Sequence, residues 1–213
     1  MSDTRPQQTH RVVELYRRHA AGYDASARRT MALRRRTIDR LALQPGDTVL
    51  DVACGTGLSF EWLLDAVGPD GRVIGVELSP DMFQRAQQRV ARHGWNRVTV
   101  LQSAMHNADL SPYRFDAILF NFTHDVLRSP AALQRIFAAT RPGARVALSG
   151  MKYAPWWLAP INIIVRIQAR PYMSSLEGLA TPWNLATGYL QTFQRQSALF
   201  GTAYIGWGRT RSD

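Results

Sequence analysis

An acid at the end of a buried strand, set just before a turn stripped of side chains, constrains this chain more than any other feature. Residues 48–57 read Thr-Val-Leu-Asp-Val-Ala-Cys-Gly-Thr-Gly. Val49, Leu50 and Val52 form the apolar, β-branched run of a parallel strand covered on both faces. Gly55 and Gly57 remove the side chains that would hold a ligand away from the backbone. Leu58 to Val67 then reads as the helix that follows, so Asp51 is expected at the carboxyl edge of a sheet, beside a ligand.

A dinucleotide-binding loop has the same order of parts, but it needs a third glycine three residues after the second, and Phe60 stands there. Asp51 would also repel phosphate, whereas it favours a ligand carrying an ammonium and a sulfonium, such as S-adenosylmethionine. The second strand, Arg72 to Glu77, ends in another acid twenty residues beyond Gly57. A carboxylate there can accept both hydroxyls of a ribose. Ser79 reads as a helix N-cap and Pro80 as the first helical residue, so the chain turns away directly after the acid. Leu78 and Met82 stand as apolar partners for an adenine ring. Seen alone, Glu77 is also consistent with a surface acid before a capped helix; its register with Asp51 favours the ligand.

With these residues in view, the chain resembles the class I S-adenosylmethionine-dependent methyltransferases from roughly Tyr16 to Gly150. The resemblance is carried by 49–57, by Gly75-Val76-Glu77-Leu78-Ser79, by Phe115-Asp116-Ala117-Ile118-Leu119 and by Arg141-Pro142-Gly143-Ala144-Arg145-Val146. Tyr23-Asp24 and Ile38-Asp39-Arg40-Leu41 are similar to the quinone-pathway C-methyltransferases and bacterial phospholipid N-methyltransferases. The resemblance implies one Rossmann-like domain, with a helical lid (1–44), a cofactor-binding core (45–150), a substrate cover (151–191) and a terminal β-hairpin (192–213). It extends the cofactor set from Asp51, Gly55, Gly57, Glu77, Leu78 and Met82 to Ala53, Thr56, Ser103, Ala104, Asn121 and Tyr16. Many relatives place an acid after the third strand for the adenine amino group. Here the segment reads Gln102-Ser103-Ala104-Met105-His106, so Ser103 or the adjoining backbone has to accept instead. His106 is read as a surface loop residue.

The rest of the chain alternates between strand and helix, the pattern of an α/β, doubly wound, mostly parallel seven-stranded sheet. Val12, Tyr16, His19 and Tyr23 form one helical stripe, and Met31, Ile38 and Leu41 a second; both helices are assigned to the lid. Helices are expected over Ser79 to His93 and Ala131 to Thr140. Strands are expected at Val98 to Gln102, Phe115 to Asn121 and, after a Pro142-Gly143 turn, Arg145 to Ser149. Phe193 to Leu199 and Thr202 to Arg209 read as the closing hairpin.

Charge raises the question of partners. The chain has 213 residues, a net charge of +10 and 26 basic residues, of which Lys152 is the one lysine. Nine of the 26 lie between Arg11 and Arg40, where a basic helical face would either be solvated or associate weakly with an anionic membrane surface. Nucleic acid is not the expected partner, because Phe122-Thr123-His124-Asp125 lacks the proline pair that clamps a flipped base. The apolar stretch Ala154 to Val165 is too short for a bilayer that takes about 20 apolar residues to cross, and is left to line a pocket for an apolar substrate, rest on a membrane surface or pack on the sheet as core. Cys54 is the only cysteine. With no signal peptide read at the N-terminus, a reducing, cytoplasmic setting is expected.

Methyl transfer from a sulfonium asks a protein chiefly to align the acceptor and exclude water. If a proton has to leave, His124 is the candidate base, with Asp125 close in sequence to orient it and Tyr23 to contact the substrate. Tyr153, Trp156, Trp157 and Trp183 are assigned to the cover over a small-molecule or lipid acceptor, and no metal is called for. Three other readings remain open at this point: a nicotinamide oxidoreductase, a protein that holds the cofactor without transferring methyl, and a peripheral membrane phospholipid methyltransferase. The acceptor atom and the oligomeric state are not legible in the sequence.

Overall fold

A computed structural model describes residues 27–154, 157, 161–169 and 176–212. In chain order its elements are α1 (Met31–Asp39), β1 (Thr48–Val52), α2 (Phe60–Val67), β2 (Arg72–Glu77), α3 (Pro80–His93), β3 (Val98–Gln102), β4 (Phe115–Asn121), α4 (His124–Leu127), α5 (Pro130–Ala138), β5 (Thr140–Met151), α6 (Ile161–Ala169), α7 (Asn184–Thr187), β6 (Leu190–Ala198) and β7 (Ala203–Thr210). The seven strands form one sheet in the order β3-β2-β1-β4-β5-β7-β6. The first five run parallel, and β7 pairs antiparallel with both β5 and β6. The strand order reverses direction between β1 and β4, and open α/β sheets bind ligands in the crevice at such a switch.

Two apolar layers cover the sheet. On one face Ile38, Leu41, Val49, Phe60, Leu63 and Leu119 pack together; on the other, Leu50, Ile74, Phe120, Leu133, Ile136 and Tyr204 do. Helix α1, expected as half of a lid, lies against the sheet, with Leu33, Thr37 and Ile38 buried, and Leu33 meets Ala203 and Ile205. The other half of the expected lid, including Tyr16 and Tyr23, lies outside the described residues.

Local differences from the sequence expectations have identifiable causes. Helix α2 starts at Phe60 rather than Leu58, because the glycine turn continues until Phe60 N–H donates to the Gly57 carbonyl at 3.2 Å. Helix α5 starts at Pro130, capped by Ser129, whose Oγ accepts from Ala132 N–H at 3.3 Å. Strand β5 begins five residues early, at Thr140, which pairs with Phe115 before the register shifts. The Pro142-Gly143 pair therefore forms a bulge inside the strand, with Gly143 at φ 72°. Its backbone is held by the last strand: Gly143 N–H donates to the Arg211 carbonyl at 2.9 Å.

Phe60 explains why no third glycine is needed in the turn. Its fully buried ring lies over Gly57 and Gly75, and a Cβ added to Gly75 would stand 2.8 Å from Cys54 Sγ and 2.9 Å from Phe60 Cζ. The helix thus packs on the strands through an aromatic ring. Gly75→Ala is accordingly expected to lower stability by about 1–3 kcal/mol through overpacking. A fall in the urea midpoint with the slope unchanged would show it; an unaltered midpoint would mean that the packing relaxes freely.

Candidate active site

The site grows from the ends of β1 and β2. These strands are neighbours in register, Asp51 opposite Gly75 and Val52 opposite Val76, so Asp51 and Glu77 stand near the same edge. After Val52 the backbone enters a left-handed conformation at Ala53 (φ 49°), Gly55 (61°) and Gly57 (76°). Ala53 carries a Cβ in that region, a cost held in place by its surroundings. The Cys54 N–H donates to the Val76 carbonyl at 3.0 Å, and Arg89 Nε on α3 donates to the Thr56 carbonyl at 2.9 Å. The turn is braced from both sides.

Glu77 is the clasp of this turn. Its Oε2 accepts from Gly55 N–H at 2.9 Å and its Oε1 from Ser79 N–H at 2.8 Å. Each oxygen keeps a second lone pair, so the acid can still accept from ribose hydroxyls. Burial raises the Glu77 carboxyl above its usual range, and the backbone donors of Ser79, Gly55 and Leu78 work against that rise.

Asp51 is in a different state. It is 2% exposed, and its Oδ2 has no hydrogen-bond partner among the described residues. Burial pushes its pKa up to about 7; the Arg34 guanidinium opposes the rise and the Glu77 carboxylate adds to it. A buried carboxylate oxygen without a partner is costly. A cationic ligand would remove that cost, so the residues present fit the ammonium and sulfonium of S-adenosylmethionine.

Arg34 was hidden in the sequence inside the run Arg34-Arg35-Arg36. The structure splits that run: Arg34 is 6% exposed, while Arg35 and Arg36 face solvent. The Arg34 guanidinium lies 4.8 Å over the Phe122 ring, and Nε donates to Thr30 Oγ1 at 3.4 Å. Phe122 follows β4 in a left-handed conformation, φ 62°, a second strained residue at the switch point. Arg40 likewise stacks over Trp207 at 4.2 Å, so part of the expected basic surface is engaged within the protein.

The remaining assignments divide. Ala53, Gly55, Leu78, Ser103 and Ala104 are partly open at the strand tips, and Thr56 and Gly57 are buried within the turn. Ser103 Oγ donates to its neighbour's carbonyl, Ala104 O, at 3.0 Å, and His106 is exposed. Met82, expected against the adenine, is 1% exposed and packs in the interior; capping by Ser79 turns its position on α3 inward. Asn121 acts through others, donating to Ser59 Oγ at 3.4 Å and accepting from Ser149 Oγ at 2.7 Å. It ties the turn to β4 and β5.

On the acceptor side, residues 177–179 join two strand ends. His124 Nε2 lies 3.1 Å from the Glu177 carbonyl, and Tyr153 N–H donates to the Leu179 carbonyl at 3.1 Å. A carbonyl only accepts, so the contact makes Nε2 the protonated ring nitrogen. The Glu177 backbone thus helps to orient this ring, a role the sequence reading gave to Asp125. Beside it, Thr123 carries a buried hydroxyl with no partner among the described residues, a feature the sequence reading missed. Trp183 does not belong to an open cover: it is 6% exposed and meets Tyr204 edge-on at 4.8 Å, under the Arg195 guanidinium at 4.7 Å. Trp157 is exposed, and Trp156 lies outside the described residues. Burial pushes the Cys54 thiol well above its usual range, with Asp51 and Glu77 adding to the effect, so it is not a nucleophile. Among the described residues, no group of three or more His, Cys, Asp or Glu could hold a metal ion, and no helix is long and apolar enough to cross a membrane.

Comparison with known proteins bears on this geometry. Residues 49–143, from β1 to the bulge of β5, match the methyltransferase domain family. The match supports assignment to the class I S-adenosylmethionine-dependent methyltransferases. It is 36% identical over 145 residues to a demethylmenaquinone methyltransferase of Symbiobacterium thermophilum, an alignment covering 63% of this chain and 56% of that one. An arsenite methyltransferase of Halobacterium salinarum is 33% identical over 112 residues, covering 51% and 28%. The chain thus spans little more than half the length of the first relative. A crystal structure of an S-adenosylmethionine-dependent methyltransferase from Aquifex aeolicus shares the fold, with a TM-score of 0.62 over 82% of this chain and 88% of that one at 20% identity.

The state of Asp51 gives the site a pH dependence. A cation binds the ionised acid, so below the apo pKa of about 7 binding has to expel a proton. S-adenosylhomocysteine affinity, measured by calorimetry, is expected to be level above pH 7 and to fall by up to about tenfold per unit below it. Arg34→Gln removes a charge that lowers this pKa, so the break in the profile should move to higher pH. A profile without a break would contradict this picture of Asp51.

Proposed function

We propose that this chain transfers a methyl group from S-adenosylmethionine to a small apolar acceptor, either a ring compound or a lipid. The observation that carries the reading is the buried oxygen of Asp51, without a partner among the described residues, set beside a glycine turn at the sheet's switch point. When bound, the cofactor supplies an electrophilic methyl on its sulfonium. The protein's part is to hold and align. Asp51 would meet the ammonium, Glu77 the ribose hydroxyls while keeping the turn closed, Leu78 the adenine face, and Arg34 the carboxylate of the methionine moiety. Ala53, Gly55 and Gly57 would let the ligand approach the backbone, and Ser103 and Ala104 would line the adenine edge.

On the other side, Thr123, His124 and Tyr153 surround the place where an acceptor would sit beyond β4 and β5. His124 is the group proposed to take a proton, at Nδ1, with its ring held by the Glu177 carbonyl. A quinol-like aromatic acceptor suits the apolar character of the 151–169 segment, and a demethylmenaquinone methyltransferase is among the similar proteins. An arsenite acceptor suits the chain less well. Trivalent arsenic is soft and calls for several thiolates, and the one cysteine here is buried behind the turn.

Two measurements test this. Asp51→Ala and Glu77→Ala are each expected to weaken S-adenosylhomocysteine binding by about tenfold or more; unchanged affinity in both would defeat the assignment. With methyl-labelled cofactor and a demethylated quinol, label should enter the organic phase, and His124→Ala should lower the turnover rate by about 100-fold with cofactor affinity intact. Tight cofactor binding with no label transferred to any acceptor of a lipid extract would point to a protein that binds without transferring.

A further inference from the structure

The acceptor side of the molecule combines exposed bulky apolar side chains with a strong bias of charge. The turn between β6 and β7 places two consecutive non-glycine residues in the left-handed region, Leu199 at φ 47° and Phe200 at φ 54°. Neither conformation is favoured by a bulky side chain. The strain is not repaid by packing, since Phe200 is 92% exposed and Leu199 is exposed as well. Helix α6 shows the same inversion: Val165 is buried, but Ile163 and Ile167, one helical turn apart on a common face, are 64% and 66% exposed.

These two features are neighbours. Lys152 N–H donates to the Thr202 carbonyl at the base of the turn, and Ala154 exchanges two hydrogen bonds with the Asn162 side chain at the start of α6. Three residues of chain therefore join the turn to the helix, both beside the carboxyl ends of the strands. The charges placed beside them are basic, Lys152, Arg166 and Arg195, while the one acid of residues 126–212, Glu177, pairs with Arg128 at 2.5 Å. Arg166 lies exposed between the two isoleucines, and Arg195 is close enough to add, after burial, to the lowering of the Lys152 pKa.

We propose that the β6–β7 turn and the outer face of α6 form a docking surface for an anionic lipid bilayer, with Leu199, Phe200, Ile163 and Ile167 entering the interfacial layer and Lys152, Arg166 and Arg195 meeting the headgroups. A nucleic acid would use the cations but leave the apolar side chains in water; a bilayer uses both. This surface is distinct from the basic Arg11 to Arg40 segment, and it takes up the membrane-surface option that the sequence left open for Ala154 to Val165. Binding does not require methyl transfer, so the two readings fail separately.

The test is sedimentation of the full chain with vesicles of phosphatidylcholine alone, and of phosphatidylcholine mixed with phosphatidylglycerol, at low and high salt. Phe200→Asn keeps a residue that tolerates the left-handed region, and Ile163→Gln with Ile167→Gln keeps good helix formers, so both variants should fold. S-adenosylhomocysteine affinity and melting temperature check that they do. The expected result is binding to the anionic vesicles, weakened but not abolished by salt, and reduced about fivefold or more by each variant. Three results would overturn the proposal: no binding to anionic vesicles, binding that the variants leave unchanged, or a dimer in solution that the variants dissolve while vesicle binding is absent.

Discussion

Two buried carboxylates at adjacent strand tips organise this molecule, and they do so by being treated differently. Glu77 has both oxygens engaged by backbone N–H groups, so its charge is spent partly on closing the glycine turn. Asp51, one strand over, keeps an oxygen without a partner among the described residues and a pKa of about 7. The first acid shapes the cradle and the second leaves it unsatisfied. An unligated protein carries that cost as strain in its electrostatics, and a cation of suitable shape relieves it.

At the site the strain is local because the strands leading to it are regular. Strands β1 to β4 are held in continuous parallel register, with apolar side chains on both faces, and the left-handed residues Ala53 and Phe122 stand where β1 and β4 end. Phe60 fills the space that a glycine leaves in dinucleotide-binding turns, fixing α2 over Gly57 and Gly75. Asn121, bridging Ser59 and Ser149, couples the turn to the acceptor-side strands. The turn and the ends of β4 and β5 are thus tied by one connected set of hydrogen bonds.

What the sequence disclosed follows from the range of the forces involved. The strands β1 to β4 and the placement of two acids at adjacent strand ends were legible because β-branched runs, glycine turns and N-cap residues act locally, within a few positions. The extension of β5 through Pro142-Gly143 was not, since the bulge is held by Arg211, which is distant in sequence. Ser129-Pro130 carries the same start signal as Ser79-Pro80 and could have been read in the same way. The burial of Trp183 and Met82 was not legible because an aromatic or a methionine near a site serves equally well as core; only tertiary packing decides. Arg34 was missed for the opposite reason: three consecutive arginines look alike, and the helical period alone turns one of them inward.

The central claim is that Asp51 recognises positive charge on the cofactor's amino acid end. The most direct measurement is a double-mutant cycle in which wild-type and Asp51→Asn proteins are each titrated with S-adenosylhomocysteine and with its analogue lacking the α-amino group. The account predicts a loss of about tenfold or more on removing the amine from the wild-type ligand, and little further loss in the variant. Equal losses in both proteins would show that the carboxylate and the ammonium do not meet, and would contradict the account.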